Sequence, residues 1–155
     1  MKRLLLAATI FIASSAFAGS PAVYEKSVNQ PLDVTYKNVS KALDDNGFFV
    51  VFEVNIGENL AKNAKKFGDN YNKNKLEGIK SLVFCNGKFA NQISNLDPGM
   101  MAMCPLHATL TYKDGVTTVL FVRPGVVAQG SPAAKAAQDL ENATIKALEA
   151  GINAK

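Results

Sequence analysis

The spacing of apolar residues changes repeatedly along this chain, and each change predicts a structural element. Residues 23–28 read as a short first strand, stopped by Asn29-Gln30-Pro31. From 32 to 46 the apolar positions Leu32, Tyr36, Val39 and Leu43 recur every three or four residues, while Lys37 and Lys41 fall on another face. That period predicts a helix, and Gly47 supplies its left-handed stop. Residues 48–56 are β-branched or aromatic apart from Glu53 and Asn55, which predicts a strand more exposed toward its end. A second, short helix is expected over 59–67, then a loop over 68–78 crowded with Asn, Asp and Lys, the segment with least to bury.

The second half repeats the alternation. Residues 79–84 predict a strand, 87–96 a helix with Phe89, Ile93 and Leu96 on one stripe, and Asp97-Pro98-Gly99 a turn. Residues 106–113 and 117–122 flank Asp114-Gly115, a hairpin signal because both residues tolerate positive φ. Ser131 and Pro132 are expected to cap and start a final Ala-rich helix running to about residue 150, with Leu140 and Leu148 buried. Strands and helices mixed irregularly around at least one antiparallel hairpin predict an α+β fold, with helices packed on a largely antiparallel sheet.

The first 18 residues stand apart. Lys2 and Arg3 precede an apolar run from Leu4 to Ile12, and Ala16-Phe17-Ala18 offers small residues to a signal peptidase ahead of Gly19. This is the three-part pattern of a cleavable secretion signal, too short in its apolar part to span a bilayer stably. The expectation is a signal peptide over 1–18 and one domain over 19–155, with no transmembrane segment after cleavage and a location in the periplasm or outside the cell. Cleavage takes two of the 17 basic residues, leaving a net charge near +2 against 13 acidic ones. A weakly charged exported domain makes nucleic acid an improbable partner.

Export also changes how the two cysteines read. Cys85 and Cys104 form an even count in a compartment that permits disulfides, which favours a bridge. A helix between them argues the other way, since a helical crossover tends to hold two strand ends apart. Cys104 also belongs to the densest run of soft ligands in the chain: Met100, Met101, Met103, Cys104 and His107, the only histidine. Thioethers, a thiol and an imidazole suit copper(I), or haem iron through Cys or His. The spacing matches no fixed ligand motif, and methionines that plug an irregular edge of the core, with His107 half-exposed on the sheet, explain the run more simply. A bridged Cys104 would be lost as a ligand, so the two readings compete for one sulfur.

Other chemistry is thinly supported. Lys62, Lys65, Lys66, Lys73 and Lys75, interleaved with Phe67 and Tyr71, could meet an acidic partner, but read first as a solvated surface. No G-x-S-x-G elbow accompanies His107, no C-x-x-C-H occurs, and one histidine is too few for a zinc hydrolase motif. No general acid and base are isolated.

Three stretches carry a family resemblance: Asn46-Gly47-Phe48-Phe49-Val50 with its strand, Leu82-Val83-Phe84-Cys85-Asn86 with the helix after it, and Pro105-Leu106 leading into the Asp114-Gly115 hairpin. Together they resemble the domain of unknown function 302 family over nearly the whole mature chain. The resemblance implies a compact α+β domain, similar in topology to half of a TATA-binding protein, and homodimer formation. It implies no activity. The chain departs from the family pattern at Gly87, where proline is common, at Cys104, where leucine is, and at His107, where Arg or Lys is more usual. The expected function is therefore a non-catalytic binding or interaction module of the cell envelope, for a small ligand or an envelope protein. It would use the sheet face or the cleft beside residues 100–107. The alternative is a periplasmic copper- or haem-binding redox protein using that same segment.

Overall fold

A computed structural model describes residues 20–154; the expected signal segment lies outside the described residues. Five strands form one antiparallel sheet: β1 (Val23–Val28), β2 (Phe49–Asn55), β3 (Gly78–Cys85), β4 (Leu106–Lys113) and β5 (Val116–Val122), in the order β1-β5-β4-β3-β2. Three longer helices, α1 (Leu32–Asp45), α4 (Gly87–Leu96) and α6 (Ala134–Ile152), and three short ones, α2 (Ile56–Lys62), α3 (Ala64–Phe67) and α5 (Pro124–Val127), complete the chain with 3-10 turns at Gly68–Asn70 and Pro98–Met103. The α+β architecture expected from the sequence is the one observed.

Alternation builds the core. Leu82, Phe84, Leu106, Ala108, Leu110, Val119 and Phe121 lie on one face of β3, β4 and β5 and are almost wholly buried against Tyr36, Val39 and Leu43 of α1, Ile93 of α4, and Leu140 and Leu148 of α6. Phe48 meets Phe84 edge-on at 5.8 Å, and Phe84 stacks on Phe121 at 6.4 Å. Gly151, in the last turn of α6, lets α1 approach so closely that an added Cβ would lie 2.5 Å from the Val39 Cα. The turn at Asp114-Gly115 has φ of 50° and 82°, as its sequence demands.

Several boundaries differ from the sequence reading. The helix expected at 59–67 begins at Ile56, because the Asn55 side chain accepts the Glu58 N–H, and breaks at Asn63 into α2 and α3. The turn expected at residues 97–99 continues as the 3-10 segment Pro98–Met103. Ser131 does not open α6 directly. Its hydroxyl donates to Asp97 at 2.6 Å and accepts the Ala133 N–H, and the helix starts at Ala134. A register shift beside Val51 marks a β-bulge in β2, which no apolar pattern announces.

Candidate functional site

The opposite face of the sheet holds no buried cluster like the core, and it is not uniform. Toward one end Thr109, Thr111, Thr118 and Ser27 make it largely polar, with Ile79 and Leu120 interspersed, and the Ser27 and Thr118 hydroxyls are 2.9 Å apart. At the other end the alternation fails. Phe52 pairs with Val83, Val83 with His107, the Ala108–Phe121 pair brings Val122 beside His107, and Val122 pairs with Val23. This row of apolar side chains crosses all five strands, with the lone histidine at its centre. The bulge at Val51 adds to it, since it puts Phe49 and Phe52, three residues apart, on the same face. Phe49 and Phe52 are 65% and 63% exposed, Val122 44%.

The row runs into a cavity of about 260 Å³ where β4 begins and β5 ends, lined among others by Met103, Pro105, His107, Val122, Pro124 and Val127. Residues from the core face, Leu106 and Phe121, close its inner side. Its outer wall is α5, four residues long and without a helical signal of its own. A tertiary contact holds it in place. Glu141 of α6, 1% exposed, accepts the Gly125 N–H at 2.9 Å and the Arg123 Nε–H at 2.8 Å, and forms the Arg123 ion pair. A Cβ at Gly125 would meet the ends of the Gln138 and Glu141 side chains, so any other residue there would have to displace the carboxylate that holds α5. The sequence reading missed Arg123, Gly125 and Glu141; Arg123-Pro124-Gly125 marks a turn, but its acidic anchor lies 16 residues away.

The soft-ligand run divides. Met100 and Met101 pack against the core, Met103 and His107 line the cavity, and Cys104 turns toward Cys85. Among the described residues no three His, Cys, Asp or Glu side chains converge as a metal site. Both cysteines are unbridged and half-buried. The expectation that a helical crossover separates them fails for a topological reason. β3 and β4 are antiparallel neighbours, so the end of one strand lies beside the start of the next, whatever helix comes between. The Phe84–Leu106 pair places Cys85 across from Pro105, one residue from Cys104. Burial, and then the adjacent Cys85 thiol, pushes the Cys104 thiol above its ordinary ionisation range.

A second concavity, larger and more open, lies between α1 and the edge strand β2, about 780 Å³ and lined by Tyr36, Lys37, Lys41, Asp44, Glu53 and Lys80 among others. Most of its charges already have partners. Lys41 pairs with Asp45, Lys80 with Asp33 while lying over the Tyr36 ring, and Asp44 accepts the Val50 N–H. Burial and the neighbouring Glu53 push the Tyr36 phenol up to about 12, so it neither gives nor takes a proton near neutrality. This groove reads as a solvated, internally paired surface. The lysines at 62–75 are likewise exposed, and Lys62 pairs with Glu58 one turn away. Among the described residues no helix is long and apolar enough to cross a membrane.

Comparisons with known proteins point in one direction. Residues 24–151 match the family model described as domain of unknown function DUF302. The fold is similar to that in the crystal structure of an uncharacterized conserved protein DUF302 from Bacillus stearothermophilus, at a TM-score of 0.73 and 19% sequence identity, over 84% of this chain and 98% of that one. No curated protein matches the chain.

Proposed function

Since the chain belongs to the DUF302 family, whose name assigns no chemistry, we propose from the site alone that it is a non-catalytic binding module of the cell envelope. Its ligand is an apolar group, taken up by the row Phe52-Val83-His107-Val122 and the adjoining cavity. One observation carries the reading: this end of the sheet departs from apolar-in, polar-out alternation where no helix covers it, and the departure leads into a cavity. Contiguous exposed apolar surface beside a concavity is the usual mark of a binding site. The 260 Å³ space admits a side chain or a small aromatic ring rather than a large cofactor. The His107 imidazole then supplies the polar contact that orients what enters. Export rests on the N-terminal pattern of the sequence.

The copper or haem alternative loses part of its proximity argument, since Met100 and Met101 pack against the core and Cys104 interacts with Cys85.

The test uses the anionic dye 8-anilinonaphthalene-1-sulfonate as probe. Saturable fluorescence enhancement is expected, with shifts of the His107 ring protons and of the Met103 methyl in NMR spectra. Val127→Asp, which puts a charge on the cavity wall, is expected to abolish binding, while Phe67→Asp, remote from the row, leaves it unchanged. Binding that survives Val127→Asp, or no saturable binding by the wild type, refutes the reading.

A further inference from the structure

Independently of what the cavity binds, we infer that Cys85 and Cys104 are a redox-modification site: they close a reversible disulfide that ties the cavity wall to the end of β3. The argument starts from register. Antiparallel pairing carries Cys85 to the position opposite Pro105, and the last pair of the ladder, Phe84–Leu106, is buried and packed, so this end of the sheet does not slide. Cys104 follows directly on the 3-10 segment Pro98–Met103, which contributes Ala102 and Met103 to the cavity. That segment is anchored upstream by Asp97, whose carboxylate receives the Ser131 hydroxyl and the Gly99 N–H. Downstream, its only covalent continuation is through Cys104 into β4. A bond from Cys104 to Cys85 therefore ties this end covalently to β3, two residues nearer the wall than the Phe84–Leu106 pair that already holds it.

Both thiols are half-buried rather than sealed, so a small co-reactant reaches them. The co-reactant class is a disulfide, either a small molecule such as oxidised glutathione or the disulfide form of a thiol oxidoreductase. One cysteine thiolate attacks a sulfur of that disulfide and displaces its first thiolate, which takes up a proton. The second cysteine, deprotonated, then attacks the mixed disulfide and releases the other thiol. Two protein thiols are oxidised to one S–S bond, one co-reactant S–S bond is reduced to two thiols, and no further oxidant is required. Because burial keeps the Cys104 thiol protonated to higher pH, closure accelerates as pH rises through the alkaline range.

The experiment equilibrates the reduced full chain with mixtures of reduced and oxidised glutathione, traps free thiols by alkylation, and reads the mass. The expected result is a single transition to a species that takes up no alkyl group and no glutathione, two hydrogens lighter than the unmodified reduced chain, whose digest contains a peptide joining Cys85 to Cys104. Backbone hydrogen exchange over residues 98–103 is expected to slow in that species. In Cys85→Ser or Cys104→Ser the remaining thiol is expected to retain glutathione as a stable adduct, since nothing resolves it. Thiols that stay alkylatable across the whole series, a wild-type protein that accumulates glutathione adducts, or a bridge between two chains each overturns the inference. Unchanged exchange over 98–103 in the oxidised form overturns the pinning of the wall. None of these readouts depends on dye binding, so the two readings fail separately.

Discussion

Gly151→Ala tests the closest helix contact of the fold by the sign of its effect. In an unencumbered helix interior, replacing glycine by alanine stabilises by about 0.5–1 kcal/mol, because glycine has more backbone freedom to lose on folding. At position 151 the new methyl group would lie 2.5 Å from the Val39 Cα and 2.8 Å from both the Val39 nitrogen and the Asn38 carbonyl oxygen. Carbon atoms pack comfortably at about 3.5–4.0 Å, so α1 would have to retreat by roughly an ångström. Every one of these contacts is backbone, which cannot swing away as a side chain can. Retreat would loosen Val39, which is fully buried, and Tyr36 and Leu43 on the same helix face. Overpacking of this kind costs about 1–3 kcal/mol, more than the propensity gain at most of that range. For a domain of this size each kcal/mol moves the midpoint by roughly 2–8 °C. Thermal unfolding followed by circular dichroism should show Gly151→Ala melting several degrees below the wild type. Gly87→Ala is the control: Gly87 opens α4 with no atom within 4 Å of its notional Cβ, so its midpoint should stay or rise. A Gly151→Ala variant that melts with, or above, that control would refute the close approach of α1 and α6.

Glu141→Ala should cost about 2–4 kcal/mol in urea unfolding. It orphans the Gly125 N–H, worth about 1–3 kcal/mol when buried, and leaves Arg123 without its carboxylate; a loss below about 1 kcal/mol would mean that α5 is held by something else. Gly87→Pro should raise stability by about 0.4–1 kcal/mol, since the first helical position needs no N–H and the preceding Asn86 is already extended; a lower thermal midpoint would contradict that geometry. Stability should fall as pH rises from about 10 toward about 12, because Tyr36 keeps its proton in the folded state to about 12 while the unfolded phenol ionises near 10. Tyr24, raised by burial and Glu149, acts in the same direction. Tyr36→Phe should flatten part of that alkaline loss in pH-dependent urea titrations, and an unchanged slope would argue against a shielded phenol.

Elements whose fate is decided within a dozen residues were legible in the sequence. The helix at 32–46 and the helix at 87–96 announced themselves by period and stop signals, and both are present as α1 and α4 within a residue. The Asp114-Gly115 hairpin followed from the φ values that those residues permit. Partners distant in sequence decided the rest. The four residues of α5 hold their place because Glu141 reaches the Gly125 N–H, and the bulge at Val51 is visible only in the pairing of β2 with β3. One miss was avoidable: Asn55 followed three residues later by Glu58 is a capping-box spacing, and in the structure the Asn55 side chain bonds both the backbone N–H and the carboxylate of Glu58. The soft-ligand run over 100–107 illustrates the opposite limit. Proximity in sequence fixed no common direction, and the structure sends its side chains to the core, the cavity and Cys85.

The position of the candidate site follows from a local conflict rather than from any motif. β3 carries Leu82, Val83 and Phe84 in succession, apolar on both faces, as a strand buried on both sides would be. Shifting its register by one residue would not resolve this, because it would turn Leu82 and Phe84 away from the helices and put Ser81 and Cys85 against them in their place. The neighbouring strands accentuate the conflict instead of relieving it: β2 inserts a residue so that Phe49 and Phe52 both join Val83, and β5 ends on Val122 where a polar residue would meet no obstacle. β4 alternates normally at its other end, with Thr109 and Thr111 on the uncovered face beside Thr118 of β5. A sequence able to place threonine at three of these positions, yet carrying phenylalanine and valine along one row, leaves exposed apolar area that folding alone does not use. Contact with something outside the domain gives that area a use.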